Sequence, residues 1–169
     1  MKTLLTAATM TAALFTAAPV AVAGVFADAA LLATIESVRV VVSDQVEDNC
    51  LFNASGIKAR LSVTLEHSGI AVSDVSPWML HIIFHGWAGI VGQHHVRGGC
   101  LMEFDFELRR PGPANTWIVA AEDGGLSIGP DALDSEAMMV AEEFVDKVIA
   151  AILAARRSVG TAGVSDRRS

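Results

Sequence analysis

Two periodicities alternate along the chain. Val38, Val40 and Val42 fall at every second position against Ser37, Arg39, Val41 and Ser43, and this β-branched alternation predicts a strand over Glu36 to Asp44. A short helix-compatible lead-in, Asp28 to Ile35, precedes it, and the polar segment Gln45 to Leu51 follows as a loop carrying Cys50. Ile57, Leu61, Thr64 and Leu65 then share one stripe at helical spacing, with Lys58, Arg60 and Glu66 off it, predicting a helix capped by Asn53 or Ser55. Gly69 ends that helix, because glycine accepts the left-handed conformation of a C-terminal cap, and Ile70 stands where the accompanying apolar contact is made.

Beyond a connector at Val72 to Pro77, alternation returns. Over Trp78 to His85, Leu80, Ile82 and Phe84 oppose His81, Ile83 and His85; over Leu101 to Arg109, Met102, Phe104, Phe106 and Leu108 oppose Glu103, Asp105, Glu107 and Arg109. Between these strands, Gly86 to Gly99 holds five glycines with Trp87, His94 and His95, either a long hairpin loop or two twisted strand extensions. Arg110-Pro111-Gly112-Pro113 is turn chemistry, and Thr116 to Ala121 reads as a fourth strand, broken at Gly124-Gly125. A second helix starts at Asp134 or Ser135, with Glu136 early and Met139, Val140, Phe144, Val148, Ile152 and Leu153 as its apolar stripe; Arg156 and Arg157 suit its C-terminal end. The order strand, helix, three strands, helix predicts an α/β two-layer sandwich. In it, a four-stranded mixed sheet carries two helices on one face, with a right-handed crossover and the other face open.

Composition changes the reading of the first residues. The chain has 169 residues, 52% of them apolar, and a mean hydropathy of +0.46, which excludes an intrinsically disordered chain. Part of that hydropathy comes from the N-terminus. Met1 and Lys2 form a minimal positive region, Leu4 to Val20 is apolar and small, and Ala21-Val22-Ala23 before Gly24 satisfies the small-x-small cleavage rule, so residues 1–23 read as a signal peptide. Val25-Phe26-Ala27 before Asp28 is the alternative cleavage site. The stretch is rich in Ala and interrupted by threonines and Pro19, unlike a membrane anchor, and no cysteine stands at the cleavage point to accept a lipid. Removal of 23 of the 169 residues leaves 146, one domain's worth, read as a single α/β domain over 24–157 followed by a disordered tail, 158–169. The expected location is periplasmic or secreted, with no stable membrane anchor after cleavage.

The net charge of −7 and pI near 5.1 argue against a nucleic-acid partner, which would require clustered Lys and Arg. Export also bears on the two cysteines, since a Cys50–Cys100 disulfide is favoured in an oxidising compartment and closes a loop of about 50 residues. Two buried small hydrophobes, or a reactive thiol without CxxC spacing, are the alternatives.

Four of the five histidines, His81, His85, His94 and His95, raise a metal site. On a strand, however, His81 and His85 stand roughly 13 Å apart, beyond the reach of one ion, and His94 and His95 are adjacent in a glycine-rich loop. Glu103, Asp105 and Glu107 line one strand face at about 6 to 7 Å, a spacing that glycoside hydrolysis can use but that solvated strand faces show more often. No Gly-x-Ser-x-Gly elbow, dinucleotide fingerprint or phosphate loop is present, and no cofactor is implied. What remains is the open face. If Leu80, Ile82 and Phe84 are core, then His81, Ile83, His85 and Trp87 lie outside beside Glu103, Asp105 and Glu107, a mixture of apolar and titratable groups suited to a partner surface as well as to ordinary cross-strand pairing. Protonation of His81 and His85 between about pH 5 and 7 would then strengthen their pairing with the carboxylates.

The segments Glu36-Ser37-Val38-Arg39-Val40-Val41-Val42, Gly69-Ile70-Ala71-Val72 and Phe144-Val145-Asp146-Lys147-Val148-Ile149, in this order after an export signal, resemble a small periplasmic α/β module of envelope-assembly proteins. That module occurs in the amino-terminal domain of the Tol propeller protein, the lipoprotein activators of penicillin-binding proteins and curli-secretion lipoproteins. The resemblance spans about Glu36 to Ala155; it implies no catalytic residue, and the missing lipidation cysteine departs from the lipoprotein members. The resulting expectation is a non-enzymatic periplasmic binding or envelope-assembly accessory module whose partner is another envelope protein, with a homodimer left open. A small-ligand or metal-binding protein using the Gly/His-rich loop 86–99 is the alternative.

Overall fold

The β-branched run after the lead-in forms a long strand, β2 (Ser37–Val46), whose Val38 and Val40 are fully buried. In the computed structural model, residues 25–46, 50–51, 53–88, 100–129 and 133–165 are described. The expected signal peptide, the Gly/His-rich segment 89–99 with His94 and His95, and residues 166–169 of the expected tail lie outside them.

Before β2 come β1 (Val25–Phe26) and α1 (Ala29–Ala33), the latter capped by the Asp28 side chain, which accepts from Ala30 N–H at 2.7 Å. After β2, α2 (Ala54–His67) buries Ile57, Leu61 and Leu65; the Asn53 side chain caps it by accepting from Gly56 N–H at 2.9 Å. Gly69 takes φ +78° and the buried Ile70 returns its N–H to Leu65 O at 3.0 Å, closing the helix as its cap predicts. The chain then runs through β3 (Ala71–Val72), β4 (Met79–Ala88), β5 (Cys100–Pro111), a short 3-10 turn at Pro113–Asn115, β6 (Trp117–Gly129) and α3 (Asp134–Ser165).

The sheet order is β1-β6-β5-β4-β2-β3. β2 runs parallel to β3 and β4, and all other pairs are antiparallel, so the sheet is mixed. The α/β class is as expected, but the sheet is larger than the four strands predicted: two-residue strands β1 and β3 add to its edges. A second difference lies in β6, which does not stop near Ala121 but runs through Gly124 and Gly125. Those glycines are opposite Asp105 and Phe104, and a Cβ on Gly125 would come within 2.7 Å of the Phe104 ring. They are sites of close approach rather than turn residues.

One face of the sheet carries the core. Leu80, Ile82, Phe84, Met102, Phe106 and Leu108 are buried, with the Phe106 ring stacked between Phe104 at 5.1 Å and Phe144 of α3 at 5.2 Å. On α3 the buried stripe is Ala137, Ala141, Phe144, Val145, Val148, Ile149, Ile152 and Ala155; Met139, expected in it, is 53% exposed. The small alanines near its start let α3 pack closely, which a stripe defined by large residues does not anticipate. The helix also continues to Ser165, past Arg156 and Arg157, and Arg156 donates a guanidinium N–H to Ile35 O instead of ending the helix.

Cys50 and Cys100 form a disulfide with Cα atoms 5.6 Å apart. It lies beside the contact that joins the two helix starts: Leu133 N–H donates to Cys50 O at 2.9 Å, and Asn53 N–H donates to Asp134 Oδ1 at 2.9 Å.

Candidate functional site

Strand pleating sends alternate side chains of β2, β4, β5 and β6 away from the helices, so the sequence alternation that builds the core also builds the opposite face. Register sets the rows across that face. Trp87, Leu101 and Ile128 are opposite one another; the next row is Gln45, His85, Glu103 and Leu126, then Ser43, Ile83, Asp105 and Gly124. Val41, His81, Glu107 and Glu122 follow, and then Arg39, Met79, Arg109 and Val119. The seven residues singled out from the sequence, His81, Ile83, His85, Trp87, Glu103, Asp105 and Glu107, therefore occupy adjoining positions: His81 pairs with Glu107, Ile83 with Asp105 and His85 with Glu103.

Large apolar side chains concentrate on this face. At one end Trp87 is 45% exposed, Leu126 60% and Ile128 56%; at the other, Trp117 is 48% exposed and Val119 is exposed near it. Leu126 and Ile128 were not anticipated, because β6 was expected to end near Ala121, and Trp117 and Val119, inside the expected strand, were not assigned to this face; the alternation Glu122, Gly124, Leu126, Ile128 carries the signal once the two glycines are accepted within a strand.

The polar part of the face is organised by Arg109. One guanidinium N–H donates to Glu107 Oε2 at 2.5 Å, another meets His81 Nδ1 at 2.8 Å, and the guanidinium carbon lies 4.4 Å from the centre of the Trp117 ring. An arginine only donates, so His81 Nδ1 is the acceptor; Nε2 then carries the proton and donates to Ser43 Oγ, 2.8 Å away. Burial, and after it the Arg109 charge, hold the imidazole below its ordinary pKa, while Glu107 opposes them. This corrects the expectation that protonation ties His81 to the carboxylates. Arg109 stands between them, pairs with Glu107 itself, and favours the neutral ring.

Glu103, Asp105 and Glu122 are exposed on the same face, and among the described residues none forms an ion pair. The face therefore combines an apolar end, Trp87, Leu126 and Ile128, with three exposed carboxylates that have no ion-pair partner among the described residues. Among the described residues no group of three or more His, Cys, Asp and Glu is placed to hold a metal ion, and no described helix is long and apolar enough to cross a membrane.

No family model and no curated protein matches the chain. Among solved structures it is similar to a PelC dodecamer from Paraburkholderia phytofirmans, at TM-score 0.40 and 18% identity, covering 70% of this chain and 87% of that one. It is similar to a minor lipoprotein from Acinetobacter baumannii at TM-score 0.34 and 8% identity, over 67% and 94% of the two chains. A third similar structure is rare lipoprotein B from Shewanella oneidensis, at TM-score 0.27 and 10% identity, over 76% and 98%.

Proposed function

We propose that this is an exported, non-enzymatic accessory module of the periplasm that binds another envelope protein through the helix-free sheet face. The observation that carries this reading is the exposure of Trp87, Leu126 and Ile128 together at one end of this pleated surface, with Trp117 exposed at its other end. Isolated exposed apolar residues are common on soluble proteins, but several on one face, with two tryptophans among them, are characteristic of protein-binding surfaces. Glu103, Asp105 and Glu122 supply the polar surroundings and select a partner segment that is apolar with Lys or Arg beside it.

The Cys50–Cys100 disulfide fits an oxidising compartment. Cleavage after Ala23 supplies the route there and leaves the mature chain beginning at Gly24. The test is affinity capture from periplasmic extract by the mature protein and by Trp87→Ala. The reading requires a protein retained by the first and lost by the second, with both variants equally folded. A metal or small molecule carried by the purified protein, removed by deleting residues 89–99, would favour the Gly/His-rich loop instead.

A further inference from the structure

We infer that two copies of this chain pair through the outer edge of β6, in antiparallel register about a two-fold axis at Leu126. Among the described residues β1 covers that edge only where Val25 is opposite Glu122 and Phe26 opposite Ala121, with Ala27 N–H donating to Ala120 O at 2.7 Å. From Asp123 to Gly129 no described strand lies on it. This stretch, Asp123-Gly124-Gly125-Leu126-Ser127-Ile128-Gly129, contains no Lys, Arg or Pro, the usual means of blunting an exposed edge. One donor of the stretch is already engaged, Gly124 N–H donating to Asp123 Oδ1 at 2.9 Å, as on β2 Val46 N–H donates to Asp44 Oδ1 at 3.1 Å; Leu126 and Ile128 meet no described strand on this edge.

β1 is described from Val25, opposite Glu122; with cleavage after Ala23, on which this inference rests, Gly24 alone precedes it, and one residue is too short for the protein's own N-terminus to be the occupant. Past Asp123 the residues of β6 that alternate onto this edge are Gly124, Leu126 and Ile128, centred on Leu126. Pro130, just past β6, has no N–H with which to prolong the ladder.

The outward hydrogen-bonding groups have the same centre. Because Ala120 O points toward β1, the groups of Glu122, Gly124, Leu126 and Ile128 alternate onto the outer edge. A two-fold through Leu126 then makes a hydrogen-bonded pair of Leu126 with the partner's Leu126, and sets Ile128 opposite the partner's Gly124, where no side chain obstructs it. Leu126 and Ile128, more than half exposed in the single chain, become neighbours across the junction, and the two helix-free faces join into one surface.

The experiment is sedimentation of the mature, disulfide-bonded protein up to about 100 µM, with its intact mass measured. A concentration-dependent dimer is expected, weakened at least about tenfold by Leu126→Pro, which removes an outward N–H without touching the β5 ladder, and likewise by Leu126→Lys. Leu126→Cys is expected to give a disulfide-linked dimer on mild oxidation, whereas Val75→Cys, 91% exposed elsewhere, is not. If Leu126→Pro fails to fold, the Lys and Cys variants decide. A monomer throughout, a dimer indifferent to position 126, or a mass retaining residues before Gly24 would overturn the inference. Trp87→Ala is expected to leave the dimer intact, which separates this result from that of partner capture.

Discussion

Arg109 and His81, on neighbouring strands and one row apart from direct pairing, fix each other's chemistry: the guanidinium donates to Nδ1 at 2.8 Å and so sends the imidazole proton to Nε2, toward Ser43. The arrangement stabilises a neutral ring. Because the folded protein holds His81 below its ordinary pKa, the unfolded chain takes up that proton first as pH falls. The stability conferred by the neutral ring is complete above about pH 6.5 and is lost below it, until the folded protein protonates as well. Urea midpoints measured between about pH 7.5 and 5 should therefore fall more steeply for the wild type than for His81→Gln. Parallel slopes would contradict the assignment.

The disulfide joins residues 50 apart in sequence, from the loop before α2 to the start of β5. Restricting so long a loop in the unfolded chain is worth about 2 to 4 kcal/mol. The double variant Cys50→Ser, Cys100→Ser should show that loss in chemical denaturation while keeping its secondary structure at low temperature. An unchanged midpoint would mean that the packing around Cys50 and Cys100 alone holds the junction.

Gly125→Ala tests why β6 continues through its glycines. The added Cβ would lie 2.7 Å from the Phe104 ring, which is itself stacked on Phe106 and cannot withdraw freely. A loss of about 1 to 2 kcal/mol is expected, and less in combination with Phe104→Leu, which vacates the space. Equal losses in both backgrounds would show that the ring is not the obstacle.

The elements carried by strong periodicity were legible. Leu80, Ile82 and Phe84, the stripe Ile57, Leu61 and Leu65, and the Gly69 cap stand where alternation, helical spacing and positive φ require them. Strands β1 and β3 were not legible, since two residues carry no pattern and exist as strands only because β6 and β2 lie beside them. Gly124 and Gly125 misled for a related reason: a glycine that permits a turn and one that admits a neighbour's ring are identical in sequence. Ending β6 early hid Leu126 and Ile128, two of the three exposed residues at the apolar end of the face. The Arg109–His81 contact was equally hidden, because it depends on the register between β4 and β5 and not on either strand's own pattern.

Export makes its own prediction. Ala21 and Ala23 occupy the two small-residue positions, so the intact mass of periplasmic material should correspond to a chain beginning at Gly24. A soluble species that retains Met1 would contradict both the cleavage site and the location.

The helix-free face as a protein-binding surface is tested most directly by the amount of partner retained from periplasmic extract by the wild type, by Trp87→Ala and by the control Val75→Ala, at low and high salt. Trp87 is 45% exposed, so its removal should leave the urea midpoint nearly unchanged while lowering capture by at least about fivefold, the equivalent of about 1 kcal/mol. Salt should weaken capture by screening Glu103, Asp105 and Glu122. Equal capture by all three proteins, or a loss that accompanies unfolding of Trp87→Ala, would contradict the account.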